Sequence, residues 1–243
     1  MIAAQELTKA YGRKGVLYGV TFTALPGEIT LLVGPNGAGK STTMKLLTGL
    51  ARADTGQALI AGKDVVREKT AAQRLLSFLP QTPNFHPRFT CGQIVDFYGR
   101  LRGVDRPRRA WALEQAGLSG VARGQTRTLS GGMRQRLGLA LLLLPDAPVL
   151  LLDEPGISLD PGWRRRLQNI LHEEARRGKT VLVTTHLIAE WNSVAHRCLL
   201  CRGGIIEREL DPVNLPGDFE EIGEPPPRGA TGKSLNERCI ART

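Results

Sequence analysis

Three stretches of this chain carry residue types and spacings that can do chemistry. The first is Gly34-Pro35-Asn36-Gly37-Ala38-Gly39-Lys40-Ser41-Thr42, which follows the apolar run Leu31-Leu32-Val33. Gly34, Gly37 and Gly39 let a backbone turn tightly and bring its N–H groups close to phosphate oxygens. Gly34, Gly39, Lys40 and Ser41 fit the spacing G-x-x-x-x-G-K-[ST] of a phosphate-binding loop between a strand and a helix. The helix that begins near Lys40 points its positive end at the same oxygens. Lys40 can reach the outer phosphates, and the Ser41 hydroxyl can ligate Mg2+. The second stretch, Val149-Leu150-Leu151-Leu152-Asp153-Glu154, is an apolar strand that ends in two carboxylates. Asp153 is placed to hold Mg2+, directly or through water. Glu154 can polarise the water that attacks a γ-phosphate.

The third stretch is Leu129-Ser130-Gly131-Gly132, opening a helix that is expected to run to Leu144. A serine and two glycines there make a second phosphate-facing helix N-terminus. A chain with its own phosphate loop has no obvious need for another. The use that fits is the γ-phosphate of a nucleotide held by a second subunit. At this point the sequence resembles the ATP-binding subunits of ABC transporters, whose signature reads LSGGQ; Met133 stands where that family usually has Gln.

The resemblance extends over residues 2–210, with the motifs in the family's order. It implies ATP as the bound nucleotide, Mg2+ as its metal and hydrolysis to ADP and phosphate. It implies that Tyr11 stacks on adenine and that Gln81 touches Mg2+ and the attacking water and senses the membrane partner. His186, in Thr184-Thr185-His186, corresponds to the switch histidine at the γ-phosphate. Asp160 corresponds to the aspartate of the loop that crosses to the other subunit. That loop departs from the family's E-P-T-x-G-L-D: here it reads Glu154-Pro155-Gly156-Ile157-Ser158-Leu159-Asp160. The segment Pro83 to Thr90 resembles the ABC-2 branch, which mostly serves exporters, and the region Pro83 to Arg102 would carry the groove for a permease's coupling helix.

The expected partners are a separate transmembrane permease and a second ATP-binding subunit, in a homodimer or a heterodimer. Membrane contact would run through the permease, at the cytoplasmic face. A soluble ABC ATPase acting on nucleic acid or ribosomes is the competing reading. The net charge of +10 favours it slightly. A single ATP-binding domain, and no long coiled coil between Gln81 and Leu129, disfavour it. A regulator that binds nucleotide without hydrolysis is disfavoured by Glu154 and His186.

The elements that must position these residues alternate. Strand patterns end at Ala24, Val33, Ile60, Leu79, Asp153 and Thr184, and Ala51 to Thr55 with Gly56 read as a turn. A helix is expected from the phosphate loop to about Leu50. Helical patterns follow at Cys91 to Leu101, Arg106 to Gly117, Gly131 to Leu144, Trp163 to Arg177 and Leu187 to Val194. Alternation of this kind argues for a parallel α/β sheet. The fold expected is an α/β P-loop NTPase with a mostly parallel central sheet, an N-terminal antiparallel β part and an inserted helical subdomain. The ATP-binding domain would span 1–210, its helical subdomain about 84–145. Residues 211–243 read as a Pro/Gly-rich, loosely ordered tail; Gly232-Lys233-Ser234 within it is a chance echo of the phosphate loop.

Composition bounds the rest. In 243 residues, 41% hydrophobic and 23% charged, a globular class is favoured over disorder. The longest apolar run, Leu139 to Leu144, is far shorter than the ~20 residues that span a bilayer. Met1 to Glu6 has neither the basic start nor the apolar core of a signal peptide. The chain has four cysteines. Cys198 and Cys201 have C-x-x-C spacing with His196 close by, but on a strand positions i and i+3 face opposite sides. Buried, reduced thiols are expected there rather than a metal site.

Overall fold

The computed structural model describes residues 1–215. Ten strands form two sheets among the described residues. β1 (Ile2–Tyr11), β2 (Lys14–Ala24), β4 (Thr55–Ile60) and β5 (Lys63–Asp64) make an antiparallel sheet in the order β2-β1-β4-β5. The second sheet runs β10-β9-β3-β8-β7-β6. Its members are β3 (Ile29–Val33), β6 (Leu76–Leu79), β7 (Val149–Asp153), β8 (Thr180–Thr185), β9 (Arg197–Arg202) and β10 (Ile205–Leu210). All its pairings are parallel except β9 with β10.

Every residue of β3, β7 and β8 is buried. Central parallel strands are covered on both faces, which is why they read as unbroken apolar runs rather than alternating ones. Side-chain alternation still sorts them into two cores. Leu32, Leu151 and Leu182 join Met44 and Leu47 of α1 (Lys40–Leu47). Leu31, Leu150, Leu152 and Val183 join Leu139 and Leu143 of the helix at Gly131–Leu143, and Leu167 and Leu171 of the helix at Pro161–Arg176. Each fully buried leucine contributes roughly 1.5–3 kcal/mol relative to exposure.

The remaining helices are α2 (Lys69–Arg74), α3 (Cys91–Leu101), α4 (Arg106–Gln115), α5 (Gly131–Leu143) and α6 (Pro161–Arg176). A third apolar cluster, with Val95, Ala112, Leu118, Leu137 and Ala140, lies among α3, α4 and α5. Local sequence explains where these helices start. Thr90 and Gln93 form a reciprocal capping box on α3. Asp105, Ser130 and Asp160 each accept from an N–H in the first turn of α4, α5 and α6. Arg108 of α4 donates to the Leu143 carbonyl at 2.8 Å and to Asp146 at 3.1 Å, and Lys179 reaches Asp146 at 2.5 Å. The Lys179 hydrogen bond chiefly holds the Asp146 carboxyl below its ordinary value of 3.8.

Several sequence expectations need correction. Residues 187–194 hold no α-helix; Ile188–Trp191 form one 3-10 turn. Ile188 and Trp191 are buried there, so burial rather than helix formation explains their spacing. α1 stops at Leu47, because Gly49 adopts φ 68° and breaks the helix before Leu50. Gly56 lies inside β4 rather than in a turn; its φ of 86° and close approach to the Gln5 and Glu6 carbonyls leave no room for a side chain. The strand expected to end at Ala24 does so, and it begins as early as Lys14. α6 begins at Pro161, two residues before the apolar pattern, because Asp160 caps it and proline suits the first helical position. The proposed tail beyond 215, with Cys239 and Gly232 to Ser234, lies outside the described residues.

Candidate active site

β3, β8, β7 and β6 are parallel, so their C-terminal ends share one edge of the sheet. In open α/β sheets this edge is where ligands bind. The loop 34–39 leaves the end of β3, Asp153 and Glu154 close β7, Thr184 to His186 close β8, and Gln81 lies two residues beyond β6. The chemistry-bearing residues of 34–42, 81, 153–154 and 184–186 therefore meet because of strand order, although they are far apart in sequence.

The loop itself is held open from within. Gly34, Gly37 and Gly39 have φ of 153°, 81° and 105°, values that disfavour a side chain. A Cβ on Gly34 would run into the Cys201 carbonyl of β9, while one on Gly37 would meet nothing. The Cys201 thiol donates to the Ala38 carbonyl at 3.0 Å. Burial pushes that thiol up to about 11, against the pull of the Lys40 ammonium, so it keeps its proton and can donate. Lys40 is buried and donates to the carbonyls of Gly34 (2.6 Å) and Pro35 (3.1 Å). Gly39 gives α1 no side-chain cap, so no side chain takes up the first N–H groups of the helix. Pro35, Asn36 and Gly37 are exposed at its tip, and Thr42 is half-buried on α1.

The carboxylates are buried beside it. Asp153 Oδ1 accepts from the Ser41 hydroxyl at 3.2 Å and from the Thr184 hydroxyl at 2.6 Å. Glu154 adopts φ 48°, a left-handed turn that aims its carboxylate at β8. There Oε2 accepts from the His186 backbone N–H at 3.2 Å and lies 2.8 Å from His186 Nδ1. The Glu154 side chain is 8% exposed and that of His186 44%, so the histidine faces solvent while the glutamate does not. Gln81 is exposed at the same edge.

A triphosphate and a hard divalent cation fit this arrangement. An uncapped helix N-terminus, open space at Gly37 and an ammonium whose partners are neutral carbonyls suit phosphate oxygens. Ser41 and Asp153 supply hydroxyl and carboxylate oxygens, the donor chemistry such a cation takes.

Other expected residues stand apart. Tyr11 ends β1, half-exposed, with the Lys9 ammonium 5.5 Å from its ring centre. Ser130, Gly131 and Gly132 open α5. Ser130 Oγ accepts from Met133 N–H at 3.1 Å. A Cβ on Gly132 would come within 2.8 Å of the Ser158 carbonyl, so the loop 154–160 packs against these glycines within the chain. Asp160 Oδ1 accepts from Trp163 N–H at 3.0 Å. Cys198 and Cys201 belong to opposite cores, and burial, with Glu209 second, pushes the Cys198 thiol up to about 12. Sequence reasoning missed two contributors: Thr184, whose role follows from its register opposite Asp153 and has no signal along the chain, and Cys201, which had none beyond its place on a buried strand.

Residues 17–156 match the family model described as ABC transporter. Nod factor export ATP-binding protein I of Paraburkholderia xenovorans (strain LB400) is 38% identical over 207 residues, 84% of this chain and 68% of the relative. Linearmycin resistance ATP-binding protein LnrL of Bacillus subtilis (strain 168) is 32% identical over 78% of this chain and 62% of its own length. Among solved structures, an ATP-binding subunit of an ABC transporter superposes with TM-score 0.81 at 25% identity, covering 87% of this chain and 90% of the other. A dimeric ATP-binding cassette in a post-hydrolysis state with ADP and Pi gives TM-score 0.80 at 27% identity, covering 88% and 100%.

Proposed function

This chain belongs to the ABC transporter family as an ATP-binding, ATP-hydrolysing subunit, and on that premise we propose that two copies close head to tail over two ATP molecules and drive a separate membrane permease in export. The observation that carries the dimer is that the chain holds two unlike glycine-rich helix starts, the loop at 34–42 and the α5 start at Ser130 to Gly132. Two copies related by a two-fold axis would complete two identical sites.

In this reading Lys40 and the N–H groups of 37–42 hold the phosphates, and Tyr11 stacks on the adenine. Ser130, Gly131 and Gly132 take the γ-phosphate bound to the partner copy, and Asp160 lies on the loop facing that copy. Glu154 accepts the proton of the attacking water, and His186 orients it and the γ-phosphate. Ser41, Gln81 and Asp153 would hold Mg2+. When bound, Mg2+ neutralises charge on the β- and γ-phosphates. The ATP-binding domain spans 1–210, with its helical part at about 84–145, where the permease docks. No helix among the described residues is long and apolar enough to cross a membrane. In this reading the subunit works at the cytoplasmic face through its permease. The relatives named for Nod factor export support the outward direction. They also favour transport over work on nucleic acid.

The test is to purify tagged Glu154→Gln in mild detergent with ATP from its native cells. A multi-span membrane protein is expected to come with it. Recovery with RNA, DNA or ribosomes and no membrane protein would overturn the transport reading.

A further inference from the structure

The ends of β7 and β8 share a contact that none of the motifs uses. In the parallel register Asp153 lies opposite Thr184. Leu151 and Leu182 point to the core shared with α1, and Asp153 and Thr184 continue that face by one step of the strand period. The face thus changes from apolar to polar at the level of the phosphate loop.

Thr184 is fully buried there. Its hydroxyl donates to Asp153 Oδ1 at 2.6 Å and accepts from the Glu154 N–H at 3.0 Å. The same N–H also lies 3.1 Å from the Thr184 carbonyl. One side chain thereby holds the carboxylate of Asp153 and the peptide that leads into Glu154. That peptide needs holding: φ 48° is a conformation that residues with side chains take only where their surroundings impose it. Ser41 and Thr184 both converge on Oδ1. Oδ2 takes no hydrogen bond from the described residues.

Packing alone does not ask for threonine. Val181, Leu182 and Val183 precede it on the same strand, and valine has the same shape. Burying a hydroxyl is unfavourable unless its bonds are made. Here its hydrogen and an acceptor position are both used, each on a neighbour of the chemistry.

We propose that Thr184 is a positioning residue for hydrolysis, fixing the carboxylate of Asp153 and the backbone turn at Glu154 through one hydroxyl. This rests on the reading of Asp153 as metal holder and Glu154 as base. Thr184→Val removes the hydroxyl and keeps the shape; Thr184→Ser keeps the hydroxyl.

Three quantities are measured on full-length protein: ATP affinity in EDTA, the gain in that affinity on adding Mg2+, and turnover. Thr184→Val is expected to leave affinity in EDTA unchanged. It should cut both the Mg2+ gain and turnover by about 10- to 100-fold, the range for partners that orient metal-holding groups. Thr184→Ser should restore most of both. A valine variant with the wild-type Mg2+ gain and turnover would overturn the proposal. So would serine and valine variants impaired alike, since packing would then be the cause. Glu154→Gln run in parallel separates the two levels. If it hydrolyses ATP at the wild-type rate, the base assignment falls, while the Mg2+ gain still judges the hold of Thr184 on Asp153.

Discussion

The phosphate loop and the Ser130 turn are both glycine-rich entries to helices, yet the chain treats them differently. The loop is enclosed. Lys40 is buried against its carbonyls, Cys201 supports it from below, and Asp153 is tied to Ser41 beside it. At the Ser130 turn, Ser130 caps its own helix, Gly132 lies against the Ser158 carbonyl, and Ser130 and Gly131 stay exposed. No buried carboxylate or ammonium is hydrogen-bonded to it among the described residues. The lesson is one of division. In the proposed reading the first region carries the means to bind and hydrolyse, and the second a phosphate contact with no chemistry of its own.

Variants can break or sharpen that contrast. The largest effect is expected from Glu154→Gln. It should lower turnover by about 10²–10⁴-fold, the usual contribution of a positioned base, while ATP binding measured by calorimetry persists. Lys40→Ala should follow, with turnover down by about 10²–10³-fold as a donor to developing charge is lost. ATP affinity of the single copy should fall with it.

Ser130→Ala is the sharper comparison. It should leave ATP affinity of the isolated copy unchanged and lower turnover only under conditions where copies associate. Loss of the cap should also cost about 1 kcal/mol of stability in denaturant titrations. Equal loss of monomer affinity in Lys40→Ala and Ser130→Ala would erase the distinction between the two halves.

The smallest effect on chemistry is expected from Asp146→Asn, at the other end of β7. Because Lys179 holds that carboxyl below 3.8, the native state gains stability from it above that pH. The gain is lost as pH falls through the depressed native value. Thermal unfolding should therefore show a lower Tm for Asp146→Asn near neutrality and convergence with wild type well below 3.8, with turnover per folded molecule unaltered.

Much of this was legible in the sequence, for physical reasons. Buried parallel strands need apolar residues on both faces, so Leu31 to Val33 and Val149 to Leu152 announce themselves. The glycines before Lys40 and the run Ser130-Gly131-Gly132 marked the starts of α1 and α5. Where the reading slipped, tertiary packing had overridden a local pattern. Leu187, Ile188, Trp191 and Val194 have helical spacing, but one 3-10 turn suffices to bury Ile188 and Trp191. Gly15 and Gly19 hid the first half of β2. The Thr184 hydroxyl and the Cys201 thiol act across strands, and no spacing along the chain encodes that. Their partners become visible only when register is known.

The most direct test of the central claim is the mass of Glu154→Gln in solution, by light scattering, with and without ATP and Mg2+. The account predicts one copy without nucleotide, two copies with it, and a return to one copy when Ser130→Ala and Gly132→Ala are added. A Glu154→Gln protein that binds ATP and stays a single copy at saturation would contradict it.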